Sequence, residues 1–135
     1  MKTTNYFDAF ISVSEDSPAK RGEIPPLKNG EKTIAGLQYD LIKSNPYLYT
    51  SDEVVFAVYA QRNIIGKGDM ETERERFFSK GQPCLRSSSL VKRYGWSVHS
   101  NNEGRVAIYP MESKEYLMYS GDKSLKQLKG MKSKK

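Results

Sequence analysis

"YGWSVHSNNEGRVAIYP", Tyr94 to Pro110, is the stretch that decides the fold class. Trp96 and Val98 alternate with Ser97 and His99. Further on, Val106 and Ile108 alternate with Arg105, Ala107 and Tyr109. A period of two marks strands that bury one face. Between the arms lies Asn101-Asn102-Glu103-Gly104, whose residue types tolerate turn dihedrals. The stretch is predicted to be a β-hairpin over residues 95–109, and a hairpin requires antiparallel pairing.

Working outward, "NYFDAFISVSED" near the N-terminus reads as a strand, with Phe10 and Ser12 on one face and Ile11 and Val13 on the other. The sixteen residues from Ser17 to Lys32 hold three prolines and two glycines and read as a long loop. Loops of that length are either mobile or wrap a surface. In "EKTIAGLQYDLIKSNP", Ile34, Leu37, Leu41 and Ile42 form an apolar stripe at helical spacing, and Asn45-Pro46 ends the helix. "SDEVVFAVYAQRN" is apolar at both alternating sets, so it is predicted to be a strand covered on both sides. "IIGKGD" has neither the spacing nor the Lys-Ser/Thr ending of a P-loop. "DMETERERFFSK" reads as a short helix, capped by Thr72 with Glu75 or by Asp69, with Phe77 and Phe78 docking its end. Beyond the hairpin, "MESKEYLMYSG" reads as a helix stopped by Gly121. "SLKQLK" reads as a last helical turn or two, with Leu125 and Leu128 three apart.

The order is strand, helix, strand, helix, hairpin, helix, helix. The hairpin calls for antiparallel pairing, and the helices are too few to cover a doubly wound sheet. The expectation is an α+β fold: a single domain with a mixed, mainly antiparallel sheet and three to four helices packed against it. The domain is expected to span residues 1–122. Residues 123–135 are left as a lysine-rich tail, partly helical or disordered.

The chain has 135 residues, enough for one core, and 37% of them are hydrophobic. Its net charge of +6 comes from the end: the last thirteen residues hold six lysines and no acid. The rest of the chain has as many basic as acidic side chains. A single cysteine forms no internal disulfide and favours a reducing compartment. No N-terminal apolar run resembles a signal sequence, and no stretch approaches the roughly 18 apolar residues of a membrane span. A cytoplasmic protein is expected, without membrane association.

Chemistry-bearing residues crowd into "FFSKGQPCLRSSSLVKRYGWSVH", Phe77 to His99. It holds the only Cys, Trp and His of the chain and no acid. Three functional readings compete there. Arg86, Ser87, Ser88, Ser89, Lys92 and Arg93 supply guanidinium forks, hydroxyls and a capped helix start suited to a phosphate or carboxylate, with Tyr94 or Trp96 covering an aromatic part. Cys84 as nucleophile with His99 as base would make an enzyme. Residue 90 is Leu, so the Cys-x5-Arg loop of a phosphatase is absent. Arg93, Tyr94, Trp96 and the lysine tail together suit single-stranded RNA. Each residue also has a plain role: serines cap helices, Trp96 lies on the apolar hairpin face, and a lone Cys is usually a small buried hydrophobe. No metal-ligand spacing is present, and no cofactor is implied.

"GEIPPLK", "KTIAGLQYDLIKSNPYLYTSDEVVF", "KGQPCLRSS" with "KRYGW", and "SLKQLKGMKSK" resemble a family catalogued as domain of unknown function 6157. The resemblance runs over nearly the whole chain. It implies a stand-alone domain, bacterial in origin, whose tail is native; it brings no activity and no functional residues. The anion-binding domain is the leading expectation.

Overall fold

The computed structural model describes residues 2–133. In chain order they form β1 (Ala9–Ser12), α1 (Ile34–Lys43), α2 (Ser51–Arg62), α3 (Met70–Phe77), α4 (Ser89–Lys92), β2 (Trp96–Ser100), β3 (Val106–Pro110), α5 (Lys114–Ser120) and β4 (Lys126–Lys129). Tight 3-10 turns occupy Lys67–Asp69 and Leu85–Ser87.

The hairpin forms as its alternation predicts. β2 and β3 pair antiparallel from Trp96↔Pro110 to Ser100↔Val106. At the turn, Asn101 Oδ1 accepts from the backbone N–H of Glu103 and Arg105, at 2.9 and 3.0 Å, and Gly104 takes a φ of 78°. β1 adds antiparallel to β2, and β4 adds parallel to β1, giving the order β3-β2-β1-β4. The sheet is mixed and the fold is α+β.

The period of two gives the sheet two unlike faces. Ile11, Val98 and Ile108 point into the main core with Ile42, Val54, Leu85 and Leu90. Phe10 and His99, opposite each other in the register, point the other way, where Tyr116 and Tyr119 of α5 cover them. On the core side α1 packs on β3, α4 on β2, and α2 on α1. Among the described residues no helix is long and apolar enough to cross a membrane.

Two elements differ from the sequence reading. "SDEVVFAVYAQR" is a helix, not a doubly covered strand. Thr50 accepts from Glu53 N at 3.2 Å while Glu53 Oε1 accepts from Thr50 N at 2.9 Å, a complete capping box. Twelve residues also suit a helix better than a strand. α2 looks apolar at every alternate position because it is buried over most of its circumference, with Val54, Val55, Phe56, Val58 and Ala60 all inside. Likewise "KQLK" is a strand, not a helical turn. Its partner is the open edge of β1, 117 residues upstream at Ala9↔Lys126. Arg86 holds the far end of β4: its Nε donates to the Lys129 carbonyl at 2.6 Å, and its own carbonyl accepts from Met131 N at 2.9 Å. Lys134 and Lys135, the last of the tail, lie outside the described residues.

The helix stripe is also shifted. α1 buries Ala35, Gly36, Gln38 and Ile42, while Ile34 stays half exposed at 48%. That leaves Ile34 for a cavity wall. The long loop from Ser17 to Lys32 is a strap. Glu23 N donates to the Tyr94 carbonyl, Trp96 Nε1 donates to the Glu23 carbonyl, and Gly22 N donates to Glu112 Oε1, each at 2.8 Å. Gly95, at a φ of 77°, lies directly against the Arg21 carbonyl, so the crossing has room only for glycine there. The strap then turns at Lys28–Glu31 and enters α1, which brings Lys28 to the mouth of that helix.

Candidate ligand-binding cavities

Thr33 caps α1 through Oγ1, which accepts from Gly36 N at 3.2 Å. The first N–H groups of a helix have no partner within it, and the first turn of α1 carries no acid. Opposite stands α4, capped by Ser88, whose Oγ accepts from Leu90 N at 3.1 Å. The same Oγ donates to Oε1 of buried Gln38 on α1, so one hydroxyl both starts α4 and ties it to α1. Arg93 follows α4 and is exposed; Arg62 ends α2 and is exposed.

These segments surround an open cavity of about 730 Å³, bordered by Lys28, Thr33, Arg62, Ser89, Arg93 and Tyr94. Glu31 and Lys32 also border it, and Lys32 is paired with Asp40. Lys28, Arg62 and Arg93 make no ion pair among the described residues. A second cavity of about 440 Å³ adjoins the first, and Ile34 and Arg62 line both. Its walls are apolar and aromatic: Val55, Val58, Tyr59, Phe77 and Pro83, with Gln38, Asn63 and Gln82 between them. The Tyr59 and Phe77 rings lie 4.5 Å apart.

Of the residues singled out from the sequence, Ser89, Arg93 and Tyr94 come together at the cationic cavity. Arg86 holds the end of β4, Ser87 Oγ donates to the Cys84 carbonyl at 2.8 Å, and Ser88 joins α4 to α1. Lys92 is half-buried and outside that cavity's lining. Trp96 is buried, edge-on to Tyr39 at 5.2 Å, with its N–H spent on the strap.

Cys84 and His99 are not brought together. Half-buried Cys84 has its sulfur 3.8 Å from the Tyr6 hydroxyl, beside the main core. Burial, then Cys84 itself, pushes the Tyr6 hydroxyl above its ordinary pKa. His99 lies on the α5 face, stacked on Tyr119 at 4.1 Å, with Nδ1 2.7 Å from the Tyr47 hydroxyl. That hydroxyl is 2.8 Å from the one on Tyr109. Burial drives His99 below its ordinary value, opposed by Asp122 and Asp8. Burial and the neighbouring tyrosines drive Tyr47 far up, so its hydroxyl keeps its proton. Among the described residues no cluster of three His, Cys, Asp or Glu could hold a metal ion.

The model of a family of unknown function, DUF6157, matches residues 1–135, the full length of the sequence. The chain belongs to that family. No curated protein and no solved structure matches this DUF6157 chain, so no relative's activity or ligand bears on its cavities.

Two residues central to the cationic cavity of the DUF6157 chain escaped the sequence reading. Lys28 sits in the proline-rich strap, and Arg62 ends a segment read as a strand. The signal for Arg62 was present in Thr50-x-x-Glu53: read as a capping box, it makes the segment a helix and puts Arg62 at its C-terminal end. Lys28 had no local signal.

Proposed function

We propose that this DUF6157 protein binds a small phosphate- or carboxylate-bearing molecule in the cavity between the start of α1 and the end of α4. The observation that carries the reading is the convergence of Lys28, Arg62 and Arg93, none of them ion-paired among the described residues, on one open cavity. Glu31 is the one acid bordering the cavity among the described residues, so the cations there outnumber it and repel one another, and a bound anion relieves that repulsion. The N–H groups of Ile34 and Ala35 at the head of α1, without a hydrogen bond among the described residues, and the Ser89 hydroxyl add donors suited to the same ligand. Arginine contributes a planar fork that fits phosphate and carboxylate alike.

The rival readings have less to rest on. Cys84 has no imidazole beside it. In the basic tail, Lys129 and Lys132 pair with Glu15 at 2.8 and 3.9 Å.

Titrating pyrophosphate into the ¹⁵N-labelled protein tests the proposal. Amide signals of residues 33–35 and 89–94 shift, and the affinity drops with added salt. Arg93→Ala weakens binding about tenfold, the loss of one charge-assisted contact. Arg86→Ala leaves it unchanged. Absence of any shift at those residues at millimolar pyrophosphate would end the proposal.

A further inference from the structure

We infer that the anion bound here is the phosphate of a nucleotide, with its base in the adjoining apolar cavity; the inference rests on the anion-binding reading above. Ile34 and Arg62 line both cavities, so a ligand reaching past them would have its charged end beside Arg93 and Lys28 and its uncharged end against the exposed sides of Tyr59 and Phe77. Each has the size of a small-molecule site.

The polar groups of the apolar cavity decide between a ring and a chain. Gln38 is buried, its Oε1 is taken by Ser88, and its NH2 makes no hydrogen bond among the described residues. Gln82 donates its NH2 to the Phe77 carbonyl at 2.7 Å, and Asn63 donates its own to the Tyr59 carbonyl at 2.8 Å. Both amides are thereby oriented with their carbonyl oxygens left as acceptors. The cavity thus offers a donor and two acceptors set among aromatic and aliphatic walls. An alkyl chain would strip water from these groups and return no hydrogen bond. A planar heterocycle with its own donors and acceptors satisfies them and stacks on the rings. With an anion in the neighbouring cavity, such a heterocycle is a nucleobase joined to phosphate.

The test uses the ¹⁵N-labelled full chain with four nucleoside monophosphates (AMP, GMP, CMP and UMP), the matching nucleosides, pyrophosphate and decanoate. At least one nucleotide is expected to bind about tenfold tighter than both its nucleoside and pyrophosphate, since stacking of one base is worth that factor. Its titration moves signals of residues 55–59 and 77–83 together with 33–35 and 89–94. Tyr59→Leu keeps the wall apolar and removes the stack. It should erase the preference for nucleotide over pyrophosphate without weakening pyrophosphate. Should that variant misfold, the shift map of the unaltered protein still decides. Pyrophosphate binding as tightly as every nucleotide, or decanoate binding more tightly, overturns the inference and leaves the anion site standing. No binding by any anion overturns both.

Discussion

Replacing Ser88 with Ala separates a structural hydroxyl from a ligand-binding one. Ser88 sits in the serine run that the sequence offers as an anion cradle, yet its Oγ is spent within the fold. It caps α4 through Leu90 N and donates to Gln38 Oε1. Loss of a serine cap costs about 1 kcal/mol. Orphaning the Gln38 oxygen costs about 1–3 kcal/mol, and the low end applies because Gln38 borders an open cavity that water can enter. The sum is about 2 kcal/mol. With a urea slope of about 2 kcal/mol per M, the unfolding midpoint falls by about 1 M. Urea melts followed by circular dichroism measure it, with Gln38→Leu and the double variant closing a cycle whose coupling is about 1 kcal/mol. Ser89→Ala is the contrast. Ser89 borders the cationic cavity, so its loss changes stability by less than about 0.5 kcal/mol while lowering phosphate affinity. An unchanged midpoint in Ser88→Ala, combined with lost phosphate affinity, would refute this reasoning and return Ser88 to the ligand.

Three further outcomes follow from the geometry. His99 is the only histidine, and burial holds its folded-state pKa below the ordinary value of 6.5. The folded state therefore binds fewer protons than the unfolded chain. The contribution is fully present above about pH 6.5 and is lost as pH falls through the folded-state value. Proton NMR should find the His99 midpoint below 6.5, and His99→Gln should flatten the acid side of the stability curve; a midpoint at or above 6.5 contradicts the burial argument. Gly130 lies where a Cβ would run into the Val91 side chain and sit 2.6 Å from Ser14 Oγ, so Gly130→Ala should cost about 1–3 kcal/mol. It should also speed amide exchange in β4; unchanged exchange would show that β4 docks otherwise. Arg86→Ala removes the bond to the Lys129 carbonyl and should destabilise by about 1 kcal/mol, read from the urea midpoint. A midpoint left in place would show that the clamp contributes nothing to β4.

The parts legible in the sequence were those governed by neighbours along the chain. The hairpin declares itself through alternation and an Asn-rich turn, and both act within seventeen residues. α5 declares itself through the stop at Gly121, and the docking of Phe78, fully buried, through its place at the end of a helix. α2 was misread because burial on many sides erases helical periodicity, although its capping box was written in Thr50 and Glu53. Three of the residues singled out, Ser89, Arg93 and Tyr94, do reach the cationic cavity; Arg86, Ser87 and Ser88 had the right chemistry but found backbone or core partners first.

By itself, then, the sequence determined the α+β class, the hairpin and the C-terminal ends of α1 and α5, because turn preference, helix stops and side-chain period are local forces. Only the tertiary structure decided that "KQLK" is a strand, since a short polar segment takes the form its partner offers, and the edge of β1 lies more than a hundred residues away. It alone decided the cavity as well. Lys28, Arg62 and Arg93 come from a strap, a helix end and a turn, and electrostatic attraction for a ligand depends on their distances in space, which no spacing along the chain encodes.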